Sequence, residues 1–258
     1  MSTQGSPLPR RTFIAGALAA TAAACTSDGA RRSSSASAPD TSDASETPSS
    51  ALAPVPTGFV SSGPRDRRQV ALTFHVSGER TLAVRLLDLL REGKVPITAF
   101  MVGSWLHDNE DLAARFLDDG HELANHTYTH LTFPSLDRST MRSEVERCRD
   151  ELVRITGSGG RFFRPSGTSN GTDDPGAAVR GVAQAAGYAT VVGFDVDPSD
   201  YADPGARVVA EHTIAAVQPG SIVSLHFGHT GTIDALPQIL DALSGRGLRA
   251  VGLSGLLS

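Results

Sequence analysis

The chain has 258 residues, 40% of them hydrophobic and 20% charged, with a formal net charge of −5. That length supports one sizeable core. The mildly acidic balance excludes the basic stripe that nucleic-acid binders carry, and aromatic residues at 5% offer no evident stacking platform.

The first segment reads as a targeting sequence rather than as part of a fold. In "PRRTFIAGALAATAAAC", Arg10 and Arg11 precede Phe13, Ile14 and an alanine-rich run that stops at Cys25. A basic start, a short apolar run and small residues before a break describe an export signal. Paired arginines followed by Phe-Ile resemble a twin-arginine signal. The run is too short and weakly apolar for a good spanning helix. Cys25 after three alanines looks like a lipoprotein cleavage site, where the new N-terminal cysteine is acylated. Ala22 stands where such sites usually carry Leu. Residues 26–57, rich in Ser, Ala, Pro and Thr, have no hydrophobic period and are expected to form a disordered tether. The chain is thus expected to be exported and held at the cell surface. With only Cys25 and Cys148, no disulfide framework is available. Cys148 falls in a helical pattern and reads as a small buried residue.

From residue 58 onward, short apolar runs alternate with amphipathic stretches. The expected strands are Val70–His75, Val95–Val102, His121–His126, Arg161–Pro165, Ala189–Asp195, Ser221–His226 and Leu248–Leu253. Between them lie helical patterns at Thr81–Arg91, Asp111–Asp119, Ser139–Ile155, Asp174–Ala186, Pro204–Val217 and Ile233–Arg246. Such alternation builds βαβ units and a parallel sheet. About seven units favour an α/β barrel-like closure over an open doubly wound sheet, and no GxGxxG follows the first strand.

In parallel barrels the chemistry gathers at the C-terminal strand ends. The polar residues there are His75, His126, Arg164, Asp195, Asp197 and His226. His126 and His130 form an H-x-x-x-H pair, which on a helical turn puts both imidazoles on one face, able to share a metal ion.

"GHELANHTYTH", "FFRPSG", "DVDPSDY" and "SIVSLHFG", in that order after a "TF" strand, resemble the polysaccharide deacetylases of carbohydrate esterase family 4. The resemblance covers the whole folded part. It implies a distorted (β/α) barrel of about seven parallel strands. It also implies a metal-dependent hydrolase that removes acetyl groups from amino sugars of a cell-wall or extracellular polysaccharide, peptidoglycan or chitin-like. A catalytically silent glycan-binding domain is the alternative. The divalent metal is expected to be zinc, with cobalt or nickel as substitutes for histidine ligands. The expected partner is the polysaccharide alone: no nucleic acid, membrane contact only through a lipid on Cys25, and a monomeric chain.

Residue by residue, the resemblance assigns His126 and His130 to the metal and His226 to the general acid. It makes Asp197 the aspartate that partners His226, and Arg164 the residue that orients the base. Tyr201 stands where the family usually has Trp, and Ser166 replaces a common proline. His229 is near enough in sequence to His226 to line the site, while His107, His121 and Tyr128 read as packing or surface residues.

The departure is at "TFHVSG", residues 73–78, where the family has T-F-D-D-G. Its first Asp is the base and its second the third metal ligand; here His75 and Val76 stand in their places. Three readings stay open. His75 replaces the base and the metal keeps two protein ligands. Or His75 joins His126 and His130 on the metal, leaving the base to Glu79, another carboxylate or none. Or the site has decayed to a binder.

Overall fold

The computed structural model describes residues 54–168 and 170–258. The expected signal, Cys25 and the tether through residue 53 lie outside the described residues. The end of the expected tether is docked: Val55 packs against the inner core, and the Pro56 carbonyl accepts a hydrogen bond from Thr190 Oγ1 at 2.5 Å. Among the described residues no helix is long and apolar enough to cross a membrane.

The strands are β1 (Gly58–Val60), β2 (Gln69–Val76), β3 (Thr98–Met101), β4 (Glu122–Asn125), β5 (Phe162–Phe163), β6 (Thr190–Val192), β7 (Ile222–His226) and β8 (Arg249–Val251). The helices are α1 (Arg80–Gly93), α2 (Gly103–Asp108), α3 (Glu110–Asp118), α4 (Arg138–Thr156), α5 (Ala177–Ala185), α6 (Ala206–Ala216), α7 (Thr230–Gly245) and α8 (Leu253–Leu257). All seven expected strands are present; β1, α2 and α8 are additions. The strand order is β1-β6-β5-β4-β3-β2-β7, with β8 also on β2, and every ladder between them is parallel. The result is a curled half-barrel surrounded by helices, a distorted (β/α) barrel. The chain after β6 bridges towards β7 at Val196↔Val223. Asp195 locks that junction: its carboxylate accepts from the Ile222 amide at 2.7 Å and pairs with Arg65 at 2.8 Å. Asp195 thus has a structural role at this junction.

Strand alternation sorts the core into two layers. On β2, Val70, Leu72, Phe74 and Val76 point outwards into the helix-facing core with Leu86, Leu90 and Ile239. Ala71 points into the barrel with Phe100, Ala124, Phe162, Val192 and Ile222. The inner rows continue upwards as 71-73-75, 124-126, 162-164 and 222-224-226. Parity alone therefore aims His75, His126, Arg164 and His226 at one point above the barrel. It also explains Val76, which is fully buried in the outer layer.

Cys148 on α4 is fully buried, donates to the Met101 carbonyl at 3.3 Å and has its thiol pushed up to about 12 by burial.

Candidate active site

His75, His126 and His130 come together, with one ring nitrogen from each within 4.8 Å of the others. The rings of His75 and His126 have centroids 4.2 Å apart, and those of His126 and His130 4.9 Å. His226 completes the cluster 4.4 Å from His75 on the neighbouring strand, where the two residues are register partners.

The H-x-x-x-H pair does not lie on a helical turn. His126 follows β4, and the chain then turns through Thr127 and His130 with φ of 70° and 59°, left-handed conformations that only a firmly held turn sustains. Three side chains hold it. Asn125 Oδ1 accepts from the Thr127 amide at 2.9 Å. Buried Glu144 on α4 accepts from the amides of Tyr128 and Thr129 at 3.0 and 2.7 Å and from the Thr129 hydroxyl at 2.8 Å. Ser166, also buried, bonds Thr127 Oγ1 at 3.0 Å and donates to the Leu131 carbonyl. The position where the family commonly has proline thus ties the His130 turn to the segment carrying Arg164.

His126 is fully buried. Its Nδ1 donates to the Arg164 carbonyl at 2.9 Å, and its Nε2 has no partner among the described residues. A buried ring nitrogen without a partner is costly unless a ligand takes its lone pair. A backbone carbonyl on the other ring nitrogen is the arrangement that aims a histidine lone pair at a metal. The donor chemistry therefore fits a divalent cation held by His126 and His130. Burial and mutual repulsion keep these rings neutral: His75 and His126 are held well below the usual histidine range, chiefly by burial, and His130 is lowered in the same way. Neutral imidazole is the ligating form.

Arg164 is buried, with 1% of its surface exposed, and pairs with no carboxylate among the described residues. Nε and Nη2 donate to the carbonyls of Val192 and Gly193 at 3.1 and 2.9 Å, and Nη1 donates to Thr73 Oγ1 at 2.9 Å and His75 Nε2 at 3.0 Å. Its guanidinium lies 4.0 Å over the Phe100 ring, a cation–π contact. Burial pushes its pKa down to about 9, with Asp197 opposing the shift from a distance.

One expectation needs correction. Asp197 does not partner His226; its carboxylate accepts from the Ser199 amide at 2.7 Å. The partner is Asp200, buried to 1% exposure, three residues on. Its Oδ1 accepts from His226 Nδ1 at 2.7 Å, and its Oδ2 accepts from the His226 amide at 2.8 Å and Thr232 Oγ1 at 2.6 Å. A single turn of 3-10 helix at Asp200–Ala202 brings it there. Both aspartates of "DPSDY" were visible in the sequence, but nothing in the spacing says which one the turn aims inwards.

Tyr201 is exposed, with its ring 5.6 Å from His226, and forms one wall of the site. His229 pairs with Asp203 at 2.7 Å, 6.0 Å outside His226. Glu79 is exposed at the start of α1 and joins no histidine. Tyr128 stacks under Arg147, and His107 pairs with Glu151. Glu144 and Thr232 were missed from sequence; an acid on the buried face of α4, beside Met141, Val145 and Cys148, was the available signal.

Comparison with known proteins gives the family. Residues 62–191 match the polysaccharide deacetylase family model. A peptidoglycan-N-acetylglucosamine deacetylase of Bacillus cereus is 32% identical over 78% of this chain and 94% of its own length. A chitooligosaccharide deacetylase of Rhizobium leguminosarum is 31% identical over 70% and 88%. Among solved structures, a family 4 carbohydrate esterase from Streptomyces lividans in complex with acetate superimposes with a TM-score of 0.63, 28% identity and coverage of 70% and 91%. A family 4 pseudoenzyme from Bacillus anthracis shares the fold with a TM-score of 0.71, 24% identity and coverage of 79% and 70%. This chain belongs to the polysaccharide deacetylase family.

Proposed function

We propose that the protein hydrolyses acetyl groups from amino sugars of a cell-wall or extracellular glycan, peptidoglycan or chitin-like, with a divalent metal, zinc foremost, held by His126 and His130. The observation that carries this reading is the unpartnered, buried Nε2 of His126 beside His130, with the His226–Asp200 pair across the same cleft. When bound, the ion supplies a Lewis acid for the acetyl carbonyl.

The chain's own groups supply the proton transfers. Asp200 can only accept from His226 Nδ1, so the proton sits there and Nε2 carries the lone pair. His226 takes a proton from the water that adds to the acetyl carbon. It then returns that proton to the nitrogen as the C–N bond breaks, giving acetate and a free amine. Asp200 stabilises the imidazolium in between, as an orienting carboxylate does in hydrolytic triads. Tyr201 offers the sugar an apolar face.

The test is acetate release from acetylated chito-oligosaccharides and peptidoglycan fragments by the full chain with zinc, cobalt or nickel. Glycan binding without release for any substrate and metal would favour the silent-binder reading, which the absence of carboxylates at 75 and 76 supports. The same proposal places the protein outside the cytoplasm, tethered through Cys25. Cys25→Ala should then shift it from the membrane fraction to the soluble one.

A further inference from the structure

An arginine side chain donates hydrogen bonds and accepts none. The nitrogen of His75 that meets Arg164 Nη1 at 3.0 Å, Nε2, must therefore present a lone pair to it. The Ser224 hydroxyl stands 3.5 Å from the same nitrogen. A neutral imidazole has one N–H, so that of His75 is on Nδ1. This nitrogen makes no hydrogen bond among the described residues, yet it is not one of the atoms the fold seals away unpaired. The ring of His226, 4.4 Å away, has the opposite polarity towards the cleft, because Asp200 holds its proton on the far side. A metal on Nδ1 of His75 would force the proton onto Nε2, against an N–H of Arg164. A metal on Nε2 would have to displace Arg164 from a bond it makes inside the barrel.

We propose that His75 is neither base nor metal ligand but a neutral donor, binding the acetyl carbonyl oxygen of the substrate through Nδ1–H. The proposal rests on the deacetylase reading above. As water adds to the acetyl carbon, the carbonyl π pair moves onto oxygen and the Nδ1–H bond to it strengthens. No proton leaves His75; the electron pair returns as the C–N bond breaks and His226 protonates the amine. Neutral imidazole acts as this kind of electrophile where its surroundings prevent it from protonating. The Arg164 cation behind Nε2 draws density from the ring and sharpens the donor. Replacing a carboxylate by His75 thus changes the position from proton acceptor to hydrogen-bond donor.

The test is the tautomer of His75, read in the full chain labelled with nitrogen-15 histidine, by long-range proton–nitrogen spectra with and without zinc. The expected result is Nδ1–H in both states, while the signals of His126 and His130 move on zinc addition. Zinc affinity should stay within about twofold in His75→Asn, whereas His126→Asn should lose at least about 10–100-fold. His75→Ala should lower kcat about 10²–10³-fold with KM nearly kept, the cost of one oxyanion donor. His75→Asn, which keeps a donor near the Nδ1 position, should recover part of that loss. An Nε2–H tautomer, loss of the Nδ1 proton on adding zinc, or zinc affinity falling in His75→Asn as in His126→Asn would overturn the proposal. The spectra do not depend on turnover. A chain with His75 in the stated tautomer that releases no acetate would instead overturn the deacetylase reading, and the assigned role with it.

Discussion

Asp200→Asn separates the geometry found here from the pairing that the motif suggests. Asp200 is buried and its two oxygens serve three donors: His226 Nδ1–H, the His226 amide and the Thr232 hydroxyl. Asparagine keeps the volume and the oxygen facing the latter two. Its amide group then meets His226 Nδ1 as a donor, so the ring must accept there and carry its proton on Nε2. The lone pair that takes the proton of water is lost from the cleft. A positioned acid–base group is worth about 10²–10⁴ in rate, and the wrong tautomer in a hydrolytic triad costs about 10⁴. The expectation is a kcat reduced by about 10²–10⁴ with KM little changed. Loss of one charge-assisted hydrogen bond should cost about 1.5–3 kcal/mol of stability, a fall in Tm of roughly 2–4 °C per kcal/mol in a domain of this size. Asp197→Asn keeps an oxygen for the Ser199 amide and removes only a charge that reaches Arg164 from a distance, so its effect should stay below about 1 kcal/mol, or roughly fivefold. Acetate release at saturating metal measures both. Asp197→Asn losing a hundredfold or more while Asp200→Asn stays near wild type would refute the assignment.

Other outcomes follow from the same contacts. Glu144 touches no candidate ligand but holds the turn carrying His130, so Glu144→Ala should weaken zinc binding by about 10–100-fold in a chelator competition. Arg164→Ala leaves buried acceptors and a cavity at the barrel top and should cost about 3 kcal/mol or more in denaturant unfolding. His75 and His126 have folded-state pKa values below their unfolded ones. Below about pH 6.5 the unfolded chain therefore binds more protons, and metal-free stability should drop as the pH is lowered, by up to about 1.4 kcal/mol per unit for each histidine. His126→Gln should flatten that slope. Zinc at about 100 times its Kd should add about 2.7 kcal/mol, a rise in Tm of roughly 5–10 °C that a chelator removes.

The barrel was legible because its strands and helices follow two clean periods, and strand ends are where polar residues interrupt apolar runs. His75, His126, Arg164 and His226 were legible for that reason; each ends an inner row of the sheet. What the sequence could not supply was conformation in irregular segments. The spacing of His126 and His130 suits a helical turn, but Glu144, Asn125 and Ser166 impose a left-handed one. The choice between Asp197 and Asp200 depends on a 3-10 turn too short to leave a period. Likewise β1, three residues long, is an edge strand that exists only because β6 offers it a ladder at Gly58↔Thr190. Nor could residue type tell which His75 nitrogen carries the proton; that depends on Arg164, which arrives from β5 across the barrel.

The central claim is that His126 and His130 hold a divalent ion on which deacetylation depends. Its most direct measurement is acetate release from an acetylated glycan as zinc is titrated into chelator-stripped full-length protein, beside His126→Gln. The account predicts release that rises with zinc occupancy in the wild type and is lost in the variant. Release that is equal with and without metal, or unchanged in His126→Gln, would contradict it.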